Sequence, residues 1–311
     1  MTTLYYSHPD YLKHITGKGH PESPDRLKAI DNVLAGAAFS ELKRMTSPLS
    51  PAQEEQVLLL HPASYLKQIK GTCVAPGGCH LDPDTVLSPG SANAALRAVG
   101  AVCDAIDQVM TDKAQNAFCA VRPPGHHAEA SLAMGFCLFN NVAIAAEYAR
   151  TKYHLKRVAI VDFDVHHGNG TQALFLKQPE VLYVSSHEMP NFPGTGHPSE
   201  TGVGNIVNVP LVPFTTGSEF RKKYNQIIFP ALEHFKPELI LLSAGFDAHK
   251  DDPLASIQLD EDDFRWLTRE LCNIAKQHCQ SRLVSALEGG YHLQALSASV
   301  AVHVEELLAV V

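Results

Sequence analysis

Several runs in this chain are almost wholly apolar and too short to be helices: AFCAV at 117–121, VAIV at 158–161, VLYVS at 181–185 and LILLS at 239–243. A strand with one wet face alternates polar and apolar residues, whereas a strand covered on both faces does not. With the weaker candidates LYY (4–6), QVLLL (56–60), IVNV (206–209) and LVSA (283–286), these runs predict about eight strands. Between them lie segments with helical spacing at 62–70, 90–110, 139–153, 217–235, 261–279 and 292–309. Asp260 and Asp263 make an N-terminal capping pattern ahead of Phe264. Doubly covered strands alternating with helices predict an α/β fold. The expected architecture is one domain over 1–311, with a largely parallel central sheet flanked by helices.

No linker or repeat divides the 311 residues. The irregular stretches 71–89 and 187–205 are rich in glycine, proline and polar residues, and loops of that length in a compact domain are often functional. A net charge of −8 argues against a general phosphate-backbone binder and fits mild attraction for cationic ligands such as lysine-rich peptides or polyamines. The seven cysteines are scattered, odd in number and lack a CxxC, so they are expected to be reduced thiols in a cytoplasmic setting. The opening MTTLYYSHPDY lacks the pattern of a signal peptide, and no apolar run approaches 18 residues, so no membrane span is expected.

In parallel α/β sheets ligands bind beyond the carboxyl ends of the strands. Four strand candidates are followed there by titratable clusters: RPPGHH after 117–121, DFDVHHG after 158–161, AGFDAHKDDP after 239–243 and LEGGYH after 283–286. Asp164 and His166, two apart in extended chain, point to one side and form a plausible pair of divalent-metal ligands. D-x-H is also a common surface-loop pattern. Asp247 would supply a third ligand and leave a position open for water, as a hydrolytic metal site requires. The adjacent His126 and His127, stiffened by Pro123 and Pro124, suit proton transfer, with Asp162 and Asn169 free to orient them. Tyr291, after Gly289 and Gly290, could donate a hydrogen bond to a developing oxyanion, although a buried or rim tyrosine would look the same.

These motifs identify a family. TGKGHPESPDRL (16–27), RPPGHHA (122–128), GFCLFNNVA (135–143), VDFDVHHGNGTQ (161–172), FPGTG (192–196), SAGFDAHKDDP (243–253) and EGGY (288–291) resemble, in order and over nearly the whole chain, the zinc-dependent histone deacetylase superfamily within the arginase–deacetylase fold. The details look most like class II deacetylases and bacterial deacetylase-like and acetylpolyamine amidohydrolases.

The resemblance implies Asp164, His166 and Asp247 as ligands of Zn2+, with Fe2+ as the other candidate, and His126 and His127 as a dyad partnered by Asp162 and Asn169. It implies Tyr291 as the residue that polarises the carbonyl. Class I members usually carry aspartate where Asn169 stands, and a neutral partner stabilises an imidazolium less. It further implies a substrate tunnel walled by Phe136 and Phe192, with Gly135 and Leu254 nearby. A structural K+ is implied beside Asp162, Asp164, His166, Ser185 and Ser186, and Arg26 aligns with a channel arginine. The implied substrate is an acylated lysine in a peptide or protein, or alternatively an acetylated polyamine. Leu254 is apolar where acetylpolyamine-selective relatives place an acidic residue, which leans toward acyl-lysine, while Asp82 or Asp84 could supply the same charge. Two rivals remain: a binuclear ureohydrolase-like enzyme, and a binding protein without turnover. His167 has no assigned role beyond support.

Overall fold

A computed structural model describes residues 2–71 and 78–309. The strands are β1 (Thr3–Ser7), β2 (Lys43–Thr46), β3 (Cys79–His80), β4 (Val86–Leu87), β5 (Asn116–Cys119), β6 (Val158–Asp162), β7 (Val181–Glu188), β8 (Ile206–Leu211), β9 (Leu239–Ala244) and β10 (Leu283–Leu287). The helices are α1 (Asp25–Leu34), α2 (Pro51–Val57), α3 (Ala63–Gly71), α4 (Ser91–Met110), α5 (Asn141–Tyr153), α6 (Asn169–Phe175), α7 (Gly217–Lys223), α8 (Phe229–Phe235), α9 (Glu261–His278) and α10 (Leu293–Ala309). Eight strands form one sheet in the order β2-β1-β5-β10-β9-β6-β7-β8, every pair parallel, and β3 and β4 form a small antiparallel pair.

The continuous apolar runs are central strands because helices cover both faces. Along β5, Phe118 meets the α10 residue His303 and Asn116 donates to the Leu307 carbonyl of α10, while α4 also packs against this strand. Alternation along a strand then turns Ala117 and Cys119 to the other face. Five of the six alanines of α4, Ala94, Ala95, Ala98, Ala101 and Ala105, are buried, so this helix lies close to the sheet and to α5. Asp260 and Asp263 form the expected capping box of α9.

Three departures from the sequence reading have physical causes. Gln56–Leu60 is not a strand: Ser50 and Gln53 cap α2, which runs to Val57; Val57 is buried in the core and Leu60 packs partly buried against it, while Leu58 is 46 % exposed. The edge strand β2 went unseen because its Lys-Arg-Met-Thr sequence is mostly exposed, as suits an edge that must not invite pairing. The 217–235 helix is interrupted by a π-helical turn at Tyr224–Ile228. Cys73 lies outside the described residues, and among those residues no disulfide is present. Among them, too, no helix is long and apolar enough to cross a membrane.

Candidate active site

The four strands whose ends carry the titratable clusters, β5, β10, β9 and β6, are consecutive neighbours at the middle of the sheet. Because all run the same way, His126, His127, Tyr291, Asp247, Asp164 and His166 converge beyond one edge.

Asp164 and His166 stand just past β6, and Asp247 just past β9. His166 Nδ1 lies 3.1 Å from Asp164 Oδ1 and 3.1 Å from Asp247 Oδ2. The three atoms that could hold a metal ion are within 4.8 Å of one another, and all three residues are buried. The other carboxylate oxygens are tied to the backbone: Gly289 N donates to Asp164 Oδ2 at 2.7 Å and Val165 N to Asp247 Oδ1 at 2.9 Å. Each carboxylate therefore turns one oxygen toward a shared centre. Gly289 passes so close that a Cβ there would stand 2.1 Å from Asp247 Oδ2. Burial, followed by the neighbouring Asp164 charge, pushes the Asp247 carboxyl above the usual carboxylate range. Two buried carboxylates and an imidazole aimed at one point fit a divalent cation of the zinc or iron(II) kind, with a position left open.

The dyad rings are 4.0 Å apart. His126 Nδ1 donates to Asp162 Oδ2 at 3.0 Å, and the same oxygen accepts from the Tyr183 hydroxyl at 2.9 Å. His127 Nδ1 donates to Asn169 Oδ1 at 2.8 Å. Burial opposes charge on both rings. For His126 the Asp162 and Asp164 carboxylates outweigh it and raise the pKa to about 10. For His127 burial, reinforced by the His126 and His166 charges, holds the pKa well below the usual imidazole value. The carboxylates thus favour charge on His126 while burial disfavours it on His127. Glu288 holds their loop, accepting from Gly125 N at 2.6 Å and His126 N at 3.2 Å.

Tyr291 follows Gly290, whose φ of +114° only glycine adopts readily. Arg26 is fully buried, donates to the Gly290 carbonyl at 2.7 Å, and lies 5.0 Å over the Tyr291 ring. It braces the turn that carries the tyrosine. Burial and then the Asp247 and Asp164 charges keep the phenol protonated, far above its ordinary pKa.

A cavity of about 320 Å³ opens onto His127, His166 and Tyr291 and is lined by all four expected tunnel residues, Gly135, Phe136, Phe192 and Leu254. Phe192 stands edge-on to His127 at 5.1 Å and Phe136 edge-on to Tyr291 at 5.8 Å. The sequence reading did not foresee His20, Pro21 and Asn191 in the lining, although HPE lies in a quoted motif. Asp84 is there, while Asp82 instead accepts backbone hydrogen bonds from Asp84 and Thr85. Asp162 and Ser185 are paired in register between β6 and β7, and Ser186 follows; all are buried beside Asp164 and His166. His167 turns away from the cavity, meeting Thr195 at 2.8 Å and Gln172 at 3.0 Å. It tethers the loop that follows β7, and burial next to His187 drops its pKa to about 3.

The histone deacetylase domain model matches residues 20–307. The chain is 40 % identical to a histone deacetylase-like amidohydrolase of Pseudomonas aeruginosa, over 88 % of this chain and 73 % of the relative. It is 37 % identical to a probable deacetylase of Archaeoglobus fulgidus, over 94 % and 82 % respectively. The crystal structure of an HDA15 HD domain superposes with a TM-score of 0.93 at 33 % identity, covering 99 % of this chain and 90 % of the other. In sequence and in fold, the chain belongs to the histone deacetylase family.

Proposed function

We propose that this protein is a metal-dependent amidohydrolase that removes acetyl groups from the ε-amine of lysine in peptides or proteins. The observation that carries the reading is the convergence, around one cavity, of an Asp–His–Asp cluster, a histidine pair hydrogen-bonded to Asp162 and Asn169, and a tyrosine.

Asp164, His166 and Asp247 would hold Zn2+ or Fe2+, whose Lewis acidity lowers the pKa of water and polarises a carbonyl. The rings of Phe136 and Phe192 clasp the four-carbon lysine stem and exclude water around it. His127, neutral and hydrogen-bonded through Nδ1, accepts the water proton at Nε2. His126, kept cationic by Asp162, stabilises negative charge as it develops. The Tyr291 hydroxyl donates to the oxyanion of the tetrahedral adduct. His127 then returns its proton to the leaving amine. A K+ would lie beside the metal site, surrounded by backbone oxygens of Asp162, Asp164 and His166, with Ser185 and Ser186.

Leu254 at the cavity offers no charge to a second ammonium group, which favours acyl-lysine. Asp84 in the same lining supports a second reading, acetylpolyamine hydrolysis. Turnover of an acetyl-lysine peptide and of acetylputrescine by the zinc-loaded protein separates them. The peptide is expected to be the better substrate; preference for the polyamine overturns the first reading, and tight binding without turnover overturns both. A metal content near two ions per chain would favour the binuclear rival.

A further inference from the structure

Glu129 stands two residues beyond His127 and takes no part in the mechanism above. Its Oε1 accepts a hydrogen bond from Asn169 Nδ2 at 3.0 Å, and Asn169 Oδ1 accepts from His127 Nδ1 at 2.8 Å. The two segments are clamped opposite each other: Thr171 N donates to the His126 carbonyl at 3.1 Å, and Asn140 Nδ2 bridges them, donating to the Ala128 carbonyl at 3.2 Å and to Thr171 Oγ1 at 3.1 Å.

An amide side chain can be turned end for end with almost no change of shape, so its hydrogen-bond partners decide its orientation. A carboxylate only accepts. Facing Glu129, Asn169 must present its NH2 group there and its oxygen to His127. That oxygen also only accepts, so the proton of His127 sits on Nδ1 and Nε2 is left bare. A base needs this tautomer. With the amide reversed, its NH2 would face Nδ1, the ring proton would move to Nε2, and the base would be lost. The Met134 sulfur, 3.5 Å from Asn169 Nδ2, is too weak an acceptor to make the choice.

We propose that Glu129 is a positioning residue: by fixing the orientation of the Asn169 amide it sets the tautomer of His127. The inference deepens the amidohydrolase reading and rests on it for its kinetic readout only. Glu129→Ala is expected to lower kcat by roughly 10- to 100-fold, the usual cost of losing a group that orients a site residue, with KM unchanged. Glu129→Gln, whose carbonyl can still accept from Asn169, should retain much of the activity. Asn169→Asp presents an acceptor to His127 whichever way it turns, so in that background Glu129→Ala should cost nothing or restore rate by separating two facing carboxylates. Nitrogen NMR of histidine-labelled protein, which needs no turnover, should show His127 protonated on Nδ1 in the parent and partly on Nε2 in Glu129→Ala. Equal losses in both backgrounds, or a tautomer unchanged by Glu129→Ala, overturn the proposal. A parent inactive on both substrates whose tautomer nonetheless shifts would sink the amidohydrolase reading and leave this one standing.

Discussion

Tyr291 reaches the cavity on a glycine turn braced by Arg26, so its ring would keep its place without the hydroxyl. Tyr291→Phe is expected to lower kcat by about 10²–10³ with little effect on melting temperature, the usual cost of one oxyanion donor. Near-normal turnover would remove the tyrosine from the mechanism. At this scale much of the site was legible in the sequence: its titratable residues sit in glycine- and proline-rich turns straight after apolar runs, where a parallel sheet delivers ligands. Asp162 was legible as a partner of the dyad, but two other supporting carboxylates were not. Glu288 acts on Gly125 and His126, about 160 positions away, and Glu129 acts through the amide of Asn169. Neither leaves a spacing signal, because its partner is near only in the folded chain.

Among the elements, the join between the N-terminal loop and the end of β5 depends on one buried ion cluster. Glu22 is fully buried and pairs with Arg122; Arg26 stands 3.3 Å from its carboxylate and His14 3.5 Å. Burial opposes the charge of Glu22, but Arg122 outweighs it and brings the pKa down to about 2. A folded pKa below the unfolded one contributes stability above the unfolded value and loses it as pH falls. The Glu22 contribution, on the order of 3 kcal/mol, should therefore vanish between about pH 4.5 and 2. His14, held down to about 4 chiefly by burial, begins the same acid decline near pH 6.5. Urea unfolding at stepped pH measures both. Glu22→Gln should cost about 3–5 kcal/mol at neutral pH by stranding Arg122, and a loss below 1 kcal/mol would show the cluster to be dispensable. Elements were legible where burial wrote them: β9 and α9 carry their apolar pattern or cap openly. They were illegible where burial is slight, as in β2, or where an apolar run lies on the surface, as at Leu58 and Leu59.

For the molecule as a whole, one sheet runs unbroken from β2 to β8, and the hydrophobic core is continuous along it. The chain should therefore melt in a single calorimetric transition, whereas two resolved transitions would divide it into separate domains. The class of architecture follows from doubly covered strands, but the order of those strands does not, because no local pattern tells β10 which neighbours to choose. Its place is between β5 and β9, hydrogen-bonded to both. That position has a consequence for biosynthesis. On the ribosome β5 emerges well before β10, and β9 is the strand that immediately precedes it; until β10 arrives, β5 and β9 cannot lie at their final separation. His126 and His127 on one side, and Asp164, His166 and Asp247 on the other, wait as two half-sites. The same late segment that closes the gap also brings Tyr291, so a nascent or truncated chain holds no working fraction of the activity.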